Sequence, residues 1–208
     1  MHTVPHYDYV ALTKCMAASN GQFFGGFVRN LTAGRLECKD IDIWFTTEQH
    51  KDKFLNDMKD TFTTNFIFPF VDDTPAFLND YAHQRYIGIW QPSNYVPSDE
   101  FSAIKIDMVV SPTFVNDHFT VNSLSYDGAT YTCHDSRFTV ADIKEQIEKK
   151  RGYFYEDFVN IIKGTEFEPR YYERLQQMKI RGYRFESINE IQVEPEIKYN
   201  YVDERKSY

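Results

Sequence analysis

Residues 40–45, Asp-Ile-Asp-Ile-Trp-Phe, alternate acidic and bulky apolar side chains, which predicts a strand with two chemically different faces. Upstream, Val10, Leu12 and Met16 recur at helical spacing. They predict a helix capped by Asp8, running to about Ala18 and stopped by Asn20-Gly21. Gln22-Phe23-Phe24 reads as a short buried strand broken by Gly25-Gly26, and Phe27 to Ala33 as a two-turn helix with Gly34 at its stop. Thr47 to Phe62 is amphipathic, with Phe54, Leu55, Met58 and Phe62 on one side, and predicts a longer helix.

Further along, Asp72-Asp73-Thr74-Pro75 and Gln91-Pro92-Ser93-Asn94 are turn signals, and Arg85–Trp90 and Ser102–Val110 read as strands. Leu124–Tyr126 and Thr130–Cys133 flank Asp127-Gly128, a hairpin signal. From Val140 the period becomes helical through Ile143, Ile147 and Lys150, and again from Tyr171 to Ile180 before Gly182. The polar tail carries one strand-like patch at Ile191-Gln192-Val193. The expected architecture is α+β: a small mixed sheet with flanking helices over residues 1–138, a helical, neck-like appendage over 139–185, and a polar tail over 186–208.

Composition narrows the class. The chain has 208 residues, 42% hydrophobic and 17% aromatic, which excludes a disordered or collagen-like protein. No apolar run approaches the roughly 20 residues that cross a bilayer, and Met1 to His6 has no signal-peptide pattern. The net charge of −8 argues against a surface that clings everywhere to nucleic acid. Charge is uneven, however: residues 141–185 alone are basic, at +2. Cys15, Cys38 and Cys133 are odd in number and widely spaced, as expected of reduced thiols in a reducing, cytoplasmic setting. The six histidines form no metal-binding motif.

The chemistry lies between residues 25 and 43. A strand, two glycines and a helix present open backbone N–H groups at a helix N-terminus, a natural phosphate site. Arg29, one turn in, adds a guanidinium suited to a phosphate oxygen. Asp40 and Asp42 are separated by one residue on a strand, so their carboxylates share a face, about 6–7 Å apart along the backbone. Such a pair repels itself unless a cation lies between, and Mg²⁺ prefers hard oxygens plus substrate phosphates. Asp107 is a lone acid in an otherwise nearly apolar run, so it is expected to join this metal platform, to cap a strand or to pair with a basic residue. Asn122 on its own reads as a hydrogen-bonded core amide. Arg35 and Lys39 read as solvated loop residues. The aromatics of residues 153–183, interleaved with Lys and Arg, read first as core and second as an RNA-stacking surface.

Gly-Gly-x-Val-Arg-x-Leu-x-x-Gly from Gly25, followed by Asp40-x-Asp42, resembles the head domain of class II tRNA nucleotidyltransferases and bacterial poly(A) polymerases, within the DNA polymerase β superfamily. Phe119-Thr120-Val121-Asn122, Asp135 and Ala141-Asp142-Ile143-Lys144 resemble later blocks of that domain, so the resemblance covers about residues 20–150. It implies that Gly25 and Gly26 cradle a nucleoside triphosphate, that Arg29 and Asn122 contact it, and that Asp40, Asp42 and Asp107 hold two Mg²⁺ ions. The implied reaction joins a nucleoside monophosphate to an acceptor hydroxyl, with an RNA 3′ end favoured and a small molecule or protein hydroxyl as the alternative. Three departures stand out. Asn30 replaces a family aspartate. Asn116-Asp117-His118 replaces the Arg-Arg-Asp associated with the nucleotide sugar. Glu166-Phe167-Glu168-Pro169-Arg170 only loosely matches the base-reading motif, with Arg174 competing for its arginine. These departures leave a catalytically weak nucleotide- or RNA-binding subunit as the competing expectation. The RNA-holding domains of the full enzymes have no counterpart, so a second copy or a partner chain is expected to supply that surface. A head-only form suits a viral or phage enzyme.

Overall fold

A computed structural model describes residues 2–62, 66–71, 84–90, 104–114, 119–165 and 167–188. The two turn signals at 72–75 and 91–94, residues 116–118, Glu166 and the strand-like patch at 191–193 lie outside them.

The chain opens with a short strand β1 (His2–Thr3), helix α1 (His6–Ala18), strand β2 (Gln22–Phe24) and helix α2 (Gly25–Thr32). Then come β3 (Glu37–Cys38), β4 (Asp40–Phe45), α3 (Glu48–Thr61), β5 (Phe66–Val71), β6 (Gln84–Trp90) and β7 (Ile104–Val110). A one-turn helix (Thr120–Asn122) precedes β8 (Leu124–Tyr126) and β9 (Tyr131–Cys133). The remainder is α4 (Val140–Glu148), β10 (Arg151–Tyr155), α5 (Glu156–Ile162), α6 (Phe167–Ile180) and β11 (Arg184–Ile188). Among the described residues the main sheet has seven strands in the order β5-β6-β7-β4-β2-β8-β9. Of these neighbours β4 and β7 pair in parallel and the rest antiparallel, so the sheet is mixed and the fold is α+β.

The alternation read in residues 40–45 is what divides the sheet. Ile41, Ile43 and Phe45 on β4, with Ile106 and Met108 on β7, are buried beneath α3, where Phe45 meets Phe54 at 5.4 Å between ring centres. The opposite face carries Asp40, Asp42 and Trp44. Thr47 caps α3 by accepting from the backbone N–H of His50, and this cap ends the strand and turns the chain. Burying each of these large apolar side chains stabilises the fold by roughly 1.5–3 kcal/mol, enough to fix the register. Fixing that register also fixes where the acids stand.

Three expectations change. Helix α1 begins at His6 behind Pro5, so Asp8 lies in its first turn and is fully buried instead of capping it. An acid there still meets the positive end of the helix dipole. Gly25 and Gly26 form the first turn of α2 itself instead of preceding it. Residues 151–155 and 184–188, unassigned from the sequence, pair as a parallel two-stranded sheet. Within the described part of 139–185, Tyr171 stacks on Phe119 at 5.2 Å and is buried with Leu175 and Met178 in the same core cluster as Phe23 and Ile41. Tyr155 is also buried, whereas Tyr172 is exposed, so core packing accounts for most of these rings.

Candidate active site

The site is built on the face of the sheet opposite α3. Antiparallel pairing sets Phe24 of β2 opposite Asp42, and parallel pairing sets Asp42 opposite Asp107 and Asp40 opposite Lys105. The strand pairing therefore brings two of the three predicted acids into direct lateral register, and the third lies two residues away along β4, on the same face. Asp107 is only 5% exposed.

Gly25 closes the other side of Asp42. It adopts φ +66°, and a Cβ built there would lie 2.6 Å from Asp42 Oδ2. A side chain at 25 would thus be strained in its backbone and in collision with the carboxylate. This places the first turn of α2, with its unpartnered backbone donors, directly against Asp42. The Arg29 Nη2 atom lies 3.5 Å from the position a Cβ would take at Gly26. Arg29 is buried and its guanidinium lies over the Tyr183 ring, 5.9 Å from the centroid. Asn30 donates from Nδ2 to the Glu37 carbonyl at 2.5 Å and ties β3 to α2. Arg35 and Lys39 are exposed, as expected of solvated loop residues. Asn122 is buried in the one-turn helix, which packs against α2 and α4.

The electrostatics follow from crowding like charges. Burial, then the neighbouring Asp40 and Asp107, push the Asp42 carboxyl up to about 7, while Arg174 and Lys105 pull the other way. Burial pushes the Cys38 thiol up to about 12, with Asp40 and Asp42 adding to it. An excess of negative charge at Asp42 is what a cation would relieve.

Two cations unforeseen in the sequence contribute to the site. Arg85 on β6 donates from Nε to Asp107 Oδ1 at 2.7 Å and from Nη2 to Oδ2, a two-point pair. Lys105 Nζ lies 3.1 Å from Asp107 Oδ2 and 3.9 Å from Asp40 Oδ2. Asp107 thus meets the expectation of a basic partner, and it stands in register beside Asp42. The signal for Arg85 was its position on a strand predicted next to Asp107, but its partner depends on the β6–β7 register. Among the described residues no group of three or more His, Cys, Asp or Glu side chains is arranged to hold a metal ion. Asp40 and Asp42 supply hard oxygens of the kind Mg²⁺ prefers, whereas both Asp107 oxygens are engaged by Arg85 and Lys105.

All three cysteines are free thiols. Among the described residues no helix is long and apolar enough to cross a membrane.

No family model matches the chain, and no curated protein matches it. A solved structure of a tRNA-processing enzyme (apo form I) is similar over 88% of this chain and 45% of that one, at 10% identity and a TM-score of 0.44. The chain therefore spans less than half the length of that protein.

Proposed function

We propose that the chain is a Mg²⁺-dependent nucleotidyltransferase of the polymerase β type, moving a nucleoside monophosphate from a nucleoside triphosphate to an acceptor hydroxyl. The observation that supports this most is the contact of Gly25 with Asp42. A helix N-terminus suited to phosphate abuts an acid that stands in register with a second acid. Gly25, Gly26 and Arg29 bind the triphosphate and hold its α-phosphorus toward Asp42. Asn122, from the turn against α2, is assigned to the nucleotide side by resemblance. Asp40, Asp42 and Asp107 would hold Mg²⁺, which supplies charge neutralisation for the attacking and leaving oxygens of an in-line displacement. The acceptor oxygen forms a bond to the α-phosphorus. The bond from that phosphorus to the oxygen bridging the β-phosphorus breaks, pyrophosphate leaves, and Asp107, once free of Arg85, would take the acceptor proton.

A second reading is supported by the Arg85 pair. With both Asp107 oxygens engaged, the chain would bind nucleotide or RNA and transfer weakly unless a partner frees the acid. Incubation with α-labelled ATP or CTP, Mg²⁺ and total RNA, small hydroxyl compounds or protein separates the two. Label transfer that Asp42→Ala abolishes supports the enzyme. Nucleotide binding with no transfer to any acceptor overturns it in favour of the binding module.

A further inference from the structure

Two fixed cations stand on the acid cluster itself, and strand register puts them there. Parallel pairing sets Lys105 beside Asp40 and Asp107 beside Asp42. Lys105 and Asp107 are two residues apart on β7, so both side chains share the face that carries the acids. The Lys105 ammonium accordingly reaches two of them, with Nζ 3.1 Å from Asp107 Oδ2 and 3.9 Å from Asp40 Oδ2. Arg85 comes from the other flank. It stands opposite Val109, two residues beyond Asp107 on the same face of β7, and its guanidinium reaches back to both Asp107 oxygens.

A second ion in this cluster would have to bridge Asp107 and the Asp40–Asp42 pair, and Lys105 already fills that bridging place. Together the ammonium and the guanidinium carry two positive charges, the charge of one Mg²⁺, and they neutralise the same oxygens. Exchanging them for an ion is unfavourable on both sides. Mg²⁺ gives up its water reluctantly. A guanidinium fork pulled from a buried carboxylate loses two charge-assisted hydrogen bonds. A carboxylate offers about four acceptor positions, and Arg85 Nε, Arg85 Nη2 and Lys105 Nζ take three of those on Asp107. Asp40 differs. It meets Lys105 only at the longer distance and its side chain is 37% exposed, so a hydrated ion can reach it.

Resting on the nucleotidyltransferase reading, we propose that the site takes a single divalent ion, centred on Asp40 and Asp42, and that Arg85 and Lys105 supply the second centre of positive charge in place of a second ion. Asp107 reaches that one ion only through the acceptor position the two cations leave. Three acids stand together in the strands, yet they are not arranged as a three-acid metal site, and the cations between them are the reason. Arg85 and Lys105 thereby set how many ions accompany the nucleotide. The two side chains are not equivalent: Arg85 closes Asp107 by a two-point fork, whereas Lys105 spans two acids as a point charge.

Equilibrium dialysis with Mn²⁺ and an ATP analogue carrying a methylene between its α- and β-phosphorus atoms tests this. The analogue cannot release pyrophosphate, and bound ion and bound nucleotide are counted in the same sample. Wild type is expected to hold one Mn²⁺ per bound nucleotide. Arg85→Gln combined with Lys105→Gln is expected to hold two, the second at least about tenfold tighter than any second ion on wild type. A melting curve accompanies each variant. Lys105→Gln alone keeps the Arg85 fork and vacates the bridging place, so it serves where the double variant does not melt cooperatively, and its count is also expected to rise above one. A merely structural loss would lower nucleotide and ion together and would not raise their ratio. Two Mn²⁺ per nucleotide on wild type, or a count still at one in a folded variant, overturns this inference and leaves the nucleotidyltransferase reading standing. Wild type that binds no nucleotide overturns the reading beneath it.

Discussion

Asp42→Asn is expected to make the protein more stable, and only above acidic pH. The Asp42 carboxyl moves from 3.8 to about 7 on folding, chiefly through burial and then through Asp40 and Asp107. The folded chain therefore holds a proton that the unfolded chain releases, and stability falls as pH rises from about 4 to about 7. Above that window the loss is complete, and below it both states are protonated and the loss vanishes. A difference of about three pH units corresponds to at most ~4 kcal/mol at 1.36 kcal/mol per unit. Asp42 retains partial exposure, and solvent screening brings the expected cost to ~1–2 kcal/mol. Asparagine has nearly the same shape and never ionises. At pH 8 the variant is expected to melt about 2–6 °C higher than wild type, and at pH 4 within about 1 °C of it. Thermal melts by circular dichroism across this range provide the assay. A variant less stable than wild type at pH 8, or equally shifted at every pH, would refute the view that three crowded acids strain this face. Millimolar Mg²⁺ is expected to raise the melting temperature of wild type at pH 8 and to leave Asp42→Asn nearly unmoved.

Gly25→Ala is expected to cost about 1–3 kcal/mol, from a positive φ and a Cβ 2.6 Å from Asp42 Oδ2, and to reduce ATP affinity at least tenfold by calorimetry. Thr139→Ala opens the capping box of α4, in which Thr139 and Asp142 exchange hydrogen bonds; it should lose about 1 kcal/mol in urea melts with transfer unchanged. His134 has its pKa lowered to about 4 by burial, so the folded state resists protonation, and stability is lost as pH falls from about 6.5 toward 4. Ring resonances in NMR are expected to show His134 neutral at pH 5.5, and a charged ring there would contradict the buried aromatic cluster.

Much of the site was legible because it is local. The alternation of residues 40–45 fixes both faces of β4, and a glycine pair between a strand and an amphipathic stretch has few other uses. Asp107 was legible as an anomaly, since an acid in an apolar strand needs a partner. Its actual neighbours were not legible, because they depend on pairing between β4, β7 and β6, and a slip of one residue would have sent Arg85 to the other face. Strands β10 and β11 were hidden for a similar reason. They lie 29 residues apart at their nearest ends, pair in parallel, and are rich in rings and charges that give no clean alternation. Asp8 shows the opposite failure: a good capping residue in the sequence was displaced into the helix by Pro5, which sets the start of α1. Arg85 matters most among these, since it engages both oxygens of Asp107.

The proposed nucleotidyl transfer needs Asp42 ionised beside Asp40 and Asp107, although that crowding costs the fold stability. Transfer of α-labelled nucleotide, matched to pyrophosphate released, should be compared between wild type and Asp42→Asn at pH 8 with Mg²⁺. The account predicts that the more stable variant loses transfer by about a thousandfold, equivalent to ~4 kcal/mol of transition-state stabilisation. A folded Asp42→Asn that transfers nucleotide within about tenfold of wild type would contradict it.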